Sequence, residues 1–340
     1  MLYYEEPVVK DTKERQEYLN SIEAFLQEKK AACAAGRNAF ISPEKYKNNP
    51  EKYRAAFIEM LGFPLTEASE TPTLEKTFVA QDKNVNIYRM RFYFPCGIAT
   101  YGLYFEQIEQ RDDTPFVIAF HGGAGTPELV SSIHGKSANY NHLARRITDR
   151  GANVFAPQLL LWSTATYGNP YEREIVDGKL RQLGGSLTAL ELWITKGYIN
   201  YFEKNGIING DRLGVAGLSY GGMYALHLAA VDTRIKACYS CSWVCDGFAW
   251  SKGDWSYKNA LSTFTVAETL ALVAPRALAV AMGDHDPLFN ADLTSAECRS
   301  AEAYYNAFEA PEHFFWKIFD GNHETDKADD ELEFLFKHLV

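Results

Sequence analysis

The 340-residue sequence lacks the long apolar runs and the basic leader that carry a chain into or across a membrane. No stretch approaches the roughly 18 apolar residues that a spanning helix needs, and the start of the chain has no basic segment followed by an apolar one. The six cysteines are too few for a disulfide framework in a chain of this length. These features predict a cytoplasmic protein without a membrane partner.

An excess of positive charge is also missing. The chain holds 34 Lys and Arg against 44 Asp and Glu, which gives a formal net charge of −10. Nucleic acids and anionic membranes bind positively charged faces, so neither is a predicted partner. A small-molecule substrate and a homo-oligomer both remain compatible with this balance. Hydrophobic residues are abundant at 46%, with 21 Phe and 20 Tyr, and they predict a globular protein with a substantial core.

The first part of the chain has a helical pattern. A helix is predicted over residues 12–30, where apolar residues recur at helical spacing, and another over 43–61, because Pro43 suits a first turn. We therefore expect residues 1–72 to form a helical extension or cap, and residues 73–340 to form the main domain. The apolar residues of the first helix are Tyr18, Leu19, Ile22, Phe25 and Leu26.

After residue 72 the pattern changes to strands. The segments "TLEKTFVAQ", "VNIYRMRFYF" and "ATYGLYFEQI" alternate with period two and predict an antiparallel meander. From Pro115 onward, apolar runs such as "FVIAF" alternate with helical segments, and a continuous apolar run is typical of a strand covered on both faces. This alternation predicts an α/β fold, with a mostly parallel central sheet and helices on both faces.

Two of these helical segments have predicted inward faces. One covers residues 186–206 and the other ends the chain, and both would pack their apolar stripes against the sheet. The predicted inward residues are Leu187, Leu190, Ile194 and Tyr201 in the first helix, and Leu332, Leu335, Phe336 and Leu339 in the second.

The stretch "GVAGLSYGGMYALHLAA" places Ser219 where an apolar strand runs into a helical pattern. Gly217 and Gly221 flank this serine, and a nucleophilic serine at a strained strand-to-helix turn needs such small neighbours. The same turn aims the backbone N–H of Tyr220 at the place where negative charge would develop. The alternative interpretation is a glycine-rich packing turn that happens to hold a serine.

A second glycine-rich loop supplies a predicted partner for that N–H group. In "FVIAFHGGAG" a buried strand ends at Phe120, and His121, Gly122 and Gly123 follow at once. Glycines let the backbone approach an acyl oxygen and donate N–H groups to it, and Gly123 is the predicted donor. We expect His121 to orient the loop rather than to act as a base. An ordinary glycine-rich loop is the alternative.

An acid and a base follow later in the chain. The motif "RALAVAMGDHDPLF" offers Asp284 and Asp286 after a strand, and Asp286 is the predicted acid because Asp284 is better placed to cap the turn. His323 in "FFWKIFDGNHETD" lies between the last strand and the last helix and is the predicted base. The order Ser219, Asp286, His323 is the one expected of the α/β-hydrolase arrangement. A turn carboxylate and a surface histidine are the alternatives.

From Pro115 to its end, the chain resembles the α/β-hydrolase superfamily and its serine esterase branch. The motifs "HGGAG", "GLSYGG", "APRALAVAMGDHDPLF" and "GNHE" are similar to those of acetyl xylan esterase and dienelactone-hydrolase-like proteins. These proteins share their spacing with prolyl-oligopeptidase-type domains. Dienelactone hydrolases proper use a cysteine nucleophile, so Ser219 argues against that activity. The resemblance implies that residues 73–340 form an α/β-hydrolase catalytic domain.

The resemblance and the residues together imply two-step acyl transfer. His323 would take the proton of Ser219 as its oxygen attacks a carbonyl, and Asp286 would hold the imidazole tautomer. The backbone N–H groups of Tyr220 and Gly123 would stabilise the oxyanion. No metal and no organic cofactor is predicted. The predicted function is a serine carboxylic-ester hydrolase for a small or medium ester, with an acetylated carbohydrate as one candidate.

Two other functions stay open at this point. A serine peptidase of the oligopeptidase type normally carries a propeller domain, for which this chain has no room. An inactive binding protein on the same scaffold is the second alternative, and the complete set of Ser219, Asp286 and His323 argues against it.

Four tryptophans follow strands whose carboxyl ends meet at the edge where α/β proteins bind ligands. Trp162, Trp243, Trp250 and Trp255 are therefore predicted to form an aromatic wall for a sugar ring, an aromatic acyl group or an apolar alcohol. Core packing beneath a long loop is the alternative.

Three cysteines lie close together in "CYSCSWVC", namely Cys238, Cys241 and Cys245. A structural zinc ion needs four ligands, and no further Cys or His follows at a suitable spacing. We therefore predict no metal site and expect Cys238 and Cys241 to be small buried residues.

Overall fold

One sheet of nine strands organises the computed structural model, which describes residues 3–134, 139–208, 211–251 and 253–340. Within these residues the strands are β1 (Thr73–Asp82), β2 (Val85–Tyr93), β3 (Ala99–Gln107), β4 (Phe116–Phe120), β5 (Asn153–Pro157), β6 (Leu213–Leu218), β7 (Ile235–Cys241), β8 (Ala277–Gly283) and β9 (Phe314–Phe319). Their order across the sheet is β1-β2-β3-β5-β4-β6-β7-β8-β9.

The sheet joins an antiparallel meander to a parallel part. β1, β2 and β3 pair antiparallel, and β3 also pairs antiparallel with β5. From β5 to β9 all neighbouring strands are parallel, so the predicted meander and the mostly parallel sheet are confirmed. The chain passes from β4 to β5 on one side and later to β6 on the other. The carboxyl ends of β4 and β6 therefore border the crevice where open α/β sheets bind ligands.

Helices cover both faces of this sheet. In the described residues the α-helices are α1 (Thr12–Phe40), α2 (Pro43–Asn48), α3 (Pro50–Leu61), α4 (Pro127–Val130), α5 (Leu143–Thr148), α6 (Thr164–Tyr167), α7 (Arg173–Gln182), α8 (Leu187–Lys204), α9 (Tyr220–Val231), α10 (Val266–Ala271), α11 (Ala291–Ala307) and α12 (Asp330–Lys337). Short 3-10 helices occur at Val8–Asp11, Gly253–Trp255, Ala260–Ser262 and Pro311–His313. Across the described ranges, no helix has the length and apolar character to cross a bilayer.

The N-terminal helical extension is present, although its helices differ from the prediction. α1 continues to Phe40 instead of ending near residue 30. The single helix predicted over 43–61 is wrong, because Pro50 has no N–H group with which to continue α2. The Asn49 side chain instead begins α3 by accepting the N–H of Lys52 at 3.2 Å.

Both faces of the parallel part are buried. Every residue of β4, β5, β6 and β8 is buried, which is why their sequences are continuous apolar runs. α3, α8 and α9 contribute to the core on one face, while α5 and α12 contribute to the core on the other. The inward face predicted for the last helix is confirmed, since Leu332, Leu335, Phe336 and Leu339 are all buried.

The inward face predicted for α8 is partly wrong. Leu187 is buried as predicted, but Leu190, Ile194 and Tyr201 are only half-buried. Because α3, α7 and α9 also contact α8, this helix buries more than one side, and its periodicity does not single out the deepest face. The most deeply buried apolar residues in its later turns are Leu192, Tyr198, Ile199 and Phe202.

The apolar stripe of α1 faces solvent in the described structure. Its five residues are between 38% and 70% exposed, so the amphipathic helix exists but does not bury this face against its own chain. The helix is fastened near its end instead, where Lys30 pairs with Asp246 at 2.6 Å and Arg37 pairs with Glu268 at 3.3 Å. The stripe consists of Tyr18, Leu19, Ile22, Phe25 and Leu26.

Candidate active site

Ser219 stands between β6 and α9 with φ of 61° and ψ of −125°. A residue with a side chain adopts this conformation only where the surrounding structure enforces it. A Cβ atom on Gly217 would lie 2.2 Å from the carbonyl oxygen of Gly221, and one on Gly221 would lie 2.4 Å from that of Phe120. The Ser219 N–H donates to the carbonyl of Cys241 at 2.8 Å, and the residue is partly exposed. The turn therefore presents Ser219 at the carboxyl end of β6.

The loop after β4, residues 121–126, lies directly beside this turn and is called the glycine loop below. A Cβ atom on Gly122 would lie 3.1 Å from Ser219 Cβ, and one on Gly123 would lie 3.5 Å from Tyr220 Cδ2. Within the described chain, the N–H groups of Gly123 and Tyr220 have no hydrogen-bond acceptor. Tyr220 also begins α9, whose amino end favours negative charge. Gly123 and Tyr220, whose N–H groups are the predicted oxyanion donors, are therefore neighbouring residues.

His121 is buried inside the glycine loop. Its Nδ1–H donates to the carbonyl of Gly122 at 2.9 Å, and its Nε2 accepts the N–H of Leu159 at 3.0 Å. Burial lowers the pKa of His121 to about 4, so the ring is neutral at neutral pH. These contacts join the glycine loop to the chain after β5 and fit the expected orienting role.

Asp286 and His323 are in direct contact. His323 Nδ1 donates to Asp286 Oδ2 at 2.8 Å, and Oδ1 accepts the N–H groups of Leu288 at 2.8 Å and Phe289 at 3.1 Å. Burial by itself raises the pKa of Asp286, but the hydrogen bonds from His323 and from these backbone groups outweigh burial, so the pKa lies below its ordinary value. A charged carboxylate at Nδ1 keeps the proton there and leaves Nε2 able to accept one.

Asp284 does not take part in this pair. Its Oδ1 accepts the N–H of Gly321 at 3.1 Å, so Asp284 braces the turn before His323. Asp284, His285 and Asp320 place their ligand atoms within 4.8 Å of one another, but all three are exposed, and exposed acidic groups of this kind are common without an ion. Of the two acids in the motif, Asp286 is the one that contacts the imidazole.

Ser219 and His323 lie on adjoining loops at the same edge of the sheet. Glu324 follows His323, and its carbonyl accepts from Cys241 Sγ at 3.3 Å, while the Cys241 carbonyl accepts the Ser219 N–H. Among the described residues no hydrogen bond joins the Ser219 hydroxyl to the imidazole. Catalytic hydrogen bonds of this kind are often long before a substrate binds and shorten in the complex.

A turn at residues 139–141 ties the glycine loop to the loop that holds His323. The Tyr140 hydroxyl accepts the Gly122 N–H at 2.7 Å, and the Tyr140 carbonyl accepts the Thr325 hydroxyl at 2.7 Å. Because the two loops follow strands that are far apart in the sheet, this turn helps to set their separation. Sequence reasoning missed this role, because the three segments that meet here are separated along the chain.

A buried ionic cluster lies beside Tyr220. Arg173 donates to Asp254 at 2.5 Å and to Glu191 at 3.3 Å, and the Tyr220 hydroxyl donates to Asp254 at 3.0 Å. Burial by itself lowers the pKa of Arg173, but Tyr224 and the two carboxylates outweigh burial and hold the pKa above its ordinary value. The cluster fixes the ring of Tyr220, whose N–H is a predicted oxyanion donor. Its members are far apart in sequence, so no local pattern could have revealed it.

The four tryptophans divide between two cavities. Trp243, Trp250 and Trp255 line a cavity of about 320 Å³, called the aromatic cavity below. Trp162 lines a different cavity of about 380 Å³, whose walls are more polar. Trp162 also forms a β-bridge with Ala124 of the glycine loop. The predicted aromatic residues are therefore not one continuous wall.

The cysteines after β6 do not converge. Cys238 and Cys241 are buried on opposite faces of β7, one in each of the two hydrophobic cores, so their thiols cannot reach one ion. Burial raises the pKa of Cys241 and of Cys245 to about 12, which disfavours the thiolate that zinc requires.

Comparison by sequence relates the chain to a bacterial hydrolase. No protein-family model matches the sequence. The chain is similar to YtaP of Bacillus subtilis (strain 168), a protein described as a hydrolase, with 31% identity over 185 residues. This match covers 51% of the chain and 60% of YtaP, so it spans less than two thirds of that relative's length.

Comparison by structure finds the same fold in proteins described as esterases. A protein of Bacteroides fragilis NCTC 9343 described as an acetyl xylan esterase matches with a TM-score of 0.68 and 17% identity, over 82% of this chain and 76% of that one. A glucuronoyl esterase of Solibacter usitatus matches with a TM-score of 0.61 and 14% identity, over 86% of this chain and 92% of that one. Identities this low establish a shared fold alone. The chain has the α/β-hydrolase fold of these esterases.

Proposed function

We propose that this protein is a serine carboxylic-ester hydrolase. Ser219 attacks the ester carbonyl, His323 takes its proton and then gives it to the leaving alcohol, and Asp286 holds the imidazole in place. The N–H groups of Gly123 and Tyr220 stabilise the oxyanion, and the loss of one such donor typically costs about 3–4 kcal/mol. Water then hydrolyses the acyl-enzyme, again with His323 as the base. No metal or organic cofactor enters this mechanism.

The hydrogen bond between His323 and Asp286 carries this proposal. It measures 2.8 Å, and its carboxylate has no exposed surface, at the sheet edge where Ser219 is presented. Such a carboxylate sets the tautomer that lets Nε2 act as a general base. The fold shared with esterases supports the same class of reaction.

The substrate that we propose is a small or medium ester, with an acetylated carbohydrate as one candidate. The name of the Bacteroides neighbour supports that candidate, and Trp162, Trp243, Trp250 and Trp255 offer aromatic surfaces for a sugar ring or an apolar group. We also propose a cytoplasmic location, which is supported by six cysteines that are all free thiols.

Hydrolysis of p-nitrophenyl acetate, measured beside an aminoacyl p-nitroanilide, tests the proposal. We expect ester turnover that falls by about 1,000-fold or more in Ser219→Ala and in His323→Ala. His285→Ala is the matched control, because that histidine is exposed nearby and should leave turnover unchanged. A fluorophosphonate should label Ser219.

The other outcomes separate the alternatives. Turnover of the anilide alone would favour a serine peptidase, and turnover of neither compound would favour a binding protein. A fluorophosphonate label on another residue would refute the assignment of the nucleophile.

A further inference from the structure

The aromatic cavity is larger and more apolar than an acetyl group requires. Its volume of about 320 Å³ lies within the usual range of small-molecule pockets, and the methyl group of an acetyl ester would leave most of it unfilled. The walls come from the segment after β7, from α9 and α10, and from two helices of the N-terminal extension. Its main apolar side chains are Phe57, Trp243, Trp250, Trp255, Phe264 and Val266.

Two tryptophans connect this cavity to the candidate active site. The ring of Trp255 lies 4.9 Å from the ring of Tyr220, whose N–H is a predicted oxyanion donor. The ring of Trp250 lies 5.1 Å from that of Phe289, which in turn lies 5.7 Å from the imidazole of His323. Trp250 and Trp255 therefore line the cavity and also belong to chains of ring contacts that reach Tyr220 and His323.

The ionisable side chains of Asp246 and His227 in the cavity wall are already engaged. Asp246 pairs with Lys30 at 2.6 Å and accepts the N–H of Phe248 at 2.9 Å. His227 shares its Nδ1 proton with the carbonyl of Met223 at 2.8 Å, and burial lowers its pKa to about 4, so it is neutral at neutral pH. A charged group would gain no counter-ion from either side chain. The chemistry of the wall fits an uncharged apolar group.

The N-terminal extension closes one side of the cavity. Cys33 of α1 and Met60 of α3 both line it. The ion pair between Lys30 and Asp246 fastens α1 across the same wall. A side chain enlarged at position 33 would therefore fill the cavity from the side that these helices form, without altering Ser219, Asp286 or His323.

We propose that the aromatic cavity holds an aromatic or branched aliphatic group of the ester substrate. This inference rests on the proposed esterase function and specifies its substrate class: an ester with one uncharged apolar half larger than acetyl. The carbonyl lies over Ser219 while that half extends past Trp250 and Trp255. The N-terminal extension is then part of the specificity pocket.

Two substrate series test this proposal and identify which half of the ester enters the cavity. p-Nitrophenyl acetate and p-nitrophenyl benzoate vary the acyl group, whereas methyl acetate and benzyl acetate vary the alcohol. Cys33→Trp should lower kcat/KM for the aromatic member of one series by about tenfold or more, and leave its small member nearly unchanged. Ala35→Trp is the matched control, because it adds the same ring at an exposed position of α1 and should change neither series.

A second variant keeps the test decisive if Cys33→Trp displaces α1. Met60→Ala enlarges the cavity from α3 and should raise kcat/KM severalfold for p-nitrophenyl naphthoate or for naphthylmethyl acetate, relative to the small esters. Equal effects on large and small esters, or no effect from either variant, would overturn the proposal.

A binding measurement separates this proposal from the proposed function. Calorimetric titration of methyl benzoate into Ser219→Ala measures occupancy of the cavity without turnover. Binding that Cys33→Trp abolishes and Ala35→Trp preserves supports the cavity even if the intact protein hydrolyses no ester. Binding that is unchanged by Cys33→Trp counts against the cavity even if the ester hydrolysis is confirmed.

Discussion

Replacement of Asp286 by Asn removes one charge from the candidate site and leaves its shape nearly unchanged. The Asp286 carboxylate accepts three hydrogen bonds: Oδ2 accepts from His323 at 2.8 Å, and Oδ1 accepts from the N–H groups of Leu288 and Phe289 at 2.8 and 3.1 Å. An amide has only one acceptor oxygen, so Asp286→Asn cannot keep all three bonds. The size of the expected effect follows from the two orientations that the amide can adopt.

In the first orientation the amide oxygen faces Leu288 and Phe289, and the NH₂ group faces Nδ1 of His323. Nδ1 must then accept, the proton moves to Nε2, and the imidazole cannot take a proton from Ser219. The second orientation restores the tautomer but gives up two backbone hydrogen bonds, at a cost of about 2–3 kcal/mol. Loss of the carboxylate charge beside the imidazolium adds about 2 kcal/mol. The total of about 4–5 kcal/mol corresponds to a decrease in kcat of about 1,000-fold or more.

The assay is steady-state hydrolysis of p-nitrophenyl acetate, with thermal unfolding to verify that each variant is folded. Asp284→Asn is the matched control, because Asp284 is exposed, contacts the N–H of Gly321, and can keep that contact through an amide oxygen. We expect Asp284→Asn to change kcat by less than about threefold, as a surface hydrogen bond of this kind contributes little. A large decrease for Asp284→Asn with full activity for Asp286→Asn would refute the reasoning and exchange the two roles.

Three further predictions concern stability. Burial raises the pKa of Glu297 to about 7, above its value in the unfolded chain. Its contribution to the free energy of unfolding is therefore most favourable below about pH 4.5. That contribution decreases as pH rises toward 7, by up to about 3 kcal/mol. Glu297→Gln should remove this decrease. In urea unfolding, the unfolding free energy of the variant should therefore exceed that of the natural chain by more at pH 8 than at pH 5. An equal difference in unfolding free energy at the two pH values would contradict the prediction. Tyr140→Phe leaves the buried N–H of Gly122 without its acceptor and should lower the unfolding free energy by about 1–3 kcal/mol. An unchanged unfolding free energy would contradict this prediction and would indicate that water takes the place of the hydroxyl. Gly221→Ala places a Cβ atom 2.4 Å from a backbone carbonyl oxygen and should cost about 1–3 kcal/mol or prevent folding, whereas Gly178→Ala, with nothing within 4 Å, should be neutral or stabilising in the same assay.

Local sequence patterns correctly predicted the helices and strands that can bury their apolar surface in only one way. The continuous apolar runs became strands covered on both faces, and the stripe of α12 became its buried face, since each element has one dominant way to remove its apolar surface from water. The same reasoning failed on α8, which packs against several helices as well as the sheet. It predicted the helix α1 but did not show that its apolar stripe is exposed, because periodicity records that a face is apolar and not what covers it.

The sequence by itself determined the turn at Ser219, the glycine loop beside it, and the order in which the candidate acid and the candidate base follow. Short sequence motifs are enough to predict these features, because steric contacts of the backbone act between residues that are close in the chain. Gly217 and Gly221, for example, leave room that a side chain would occupy. Only the tertiary structure decided that Asp286 rather than Asp284 contacts His323, that Trp162 lies apart from the other three tryptophans, and that Arg173 supports Tyr220. Those outcomes depend on where loops from different strands end in space, and no local pattern encodes distances between residues that are far apart in the chain.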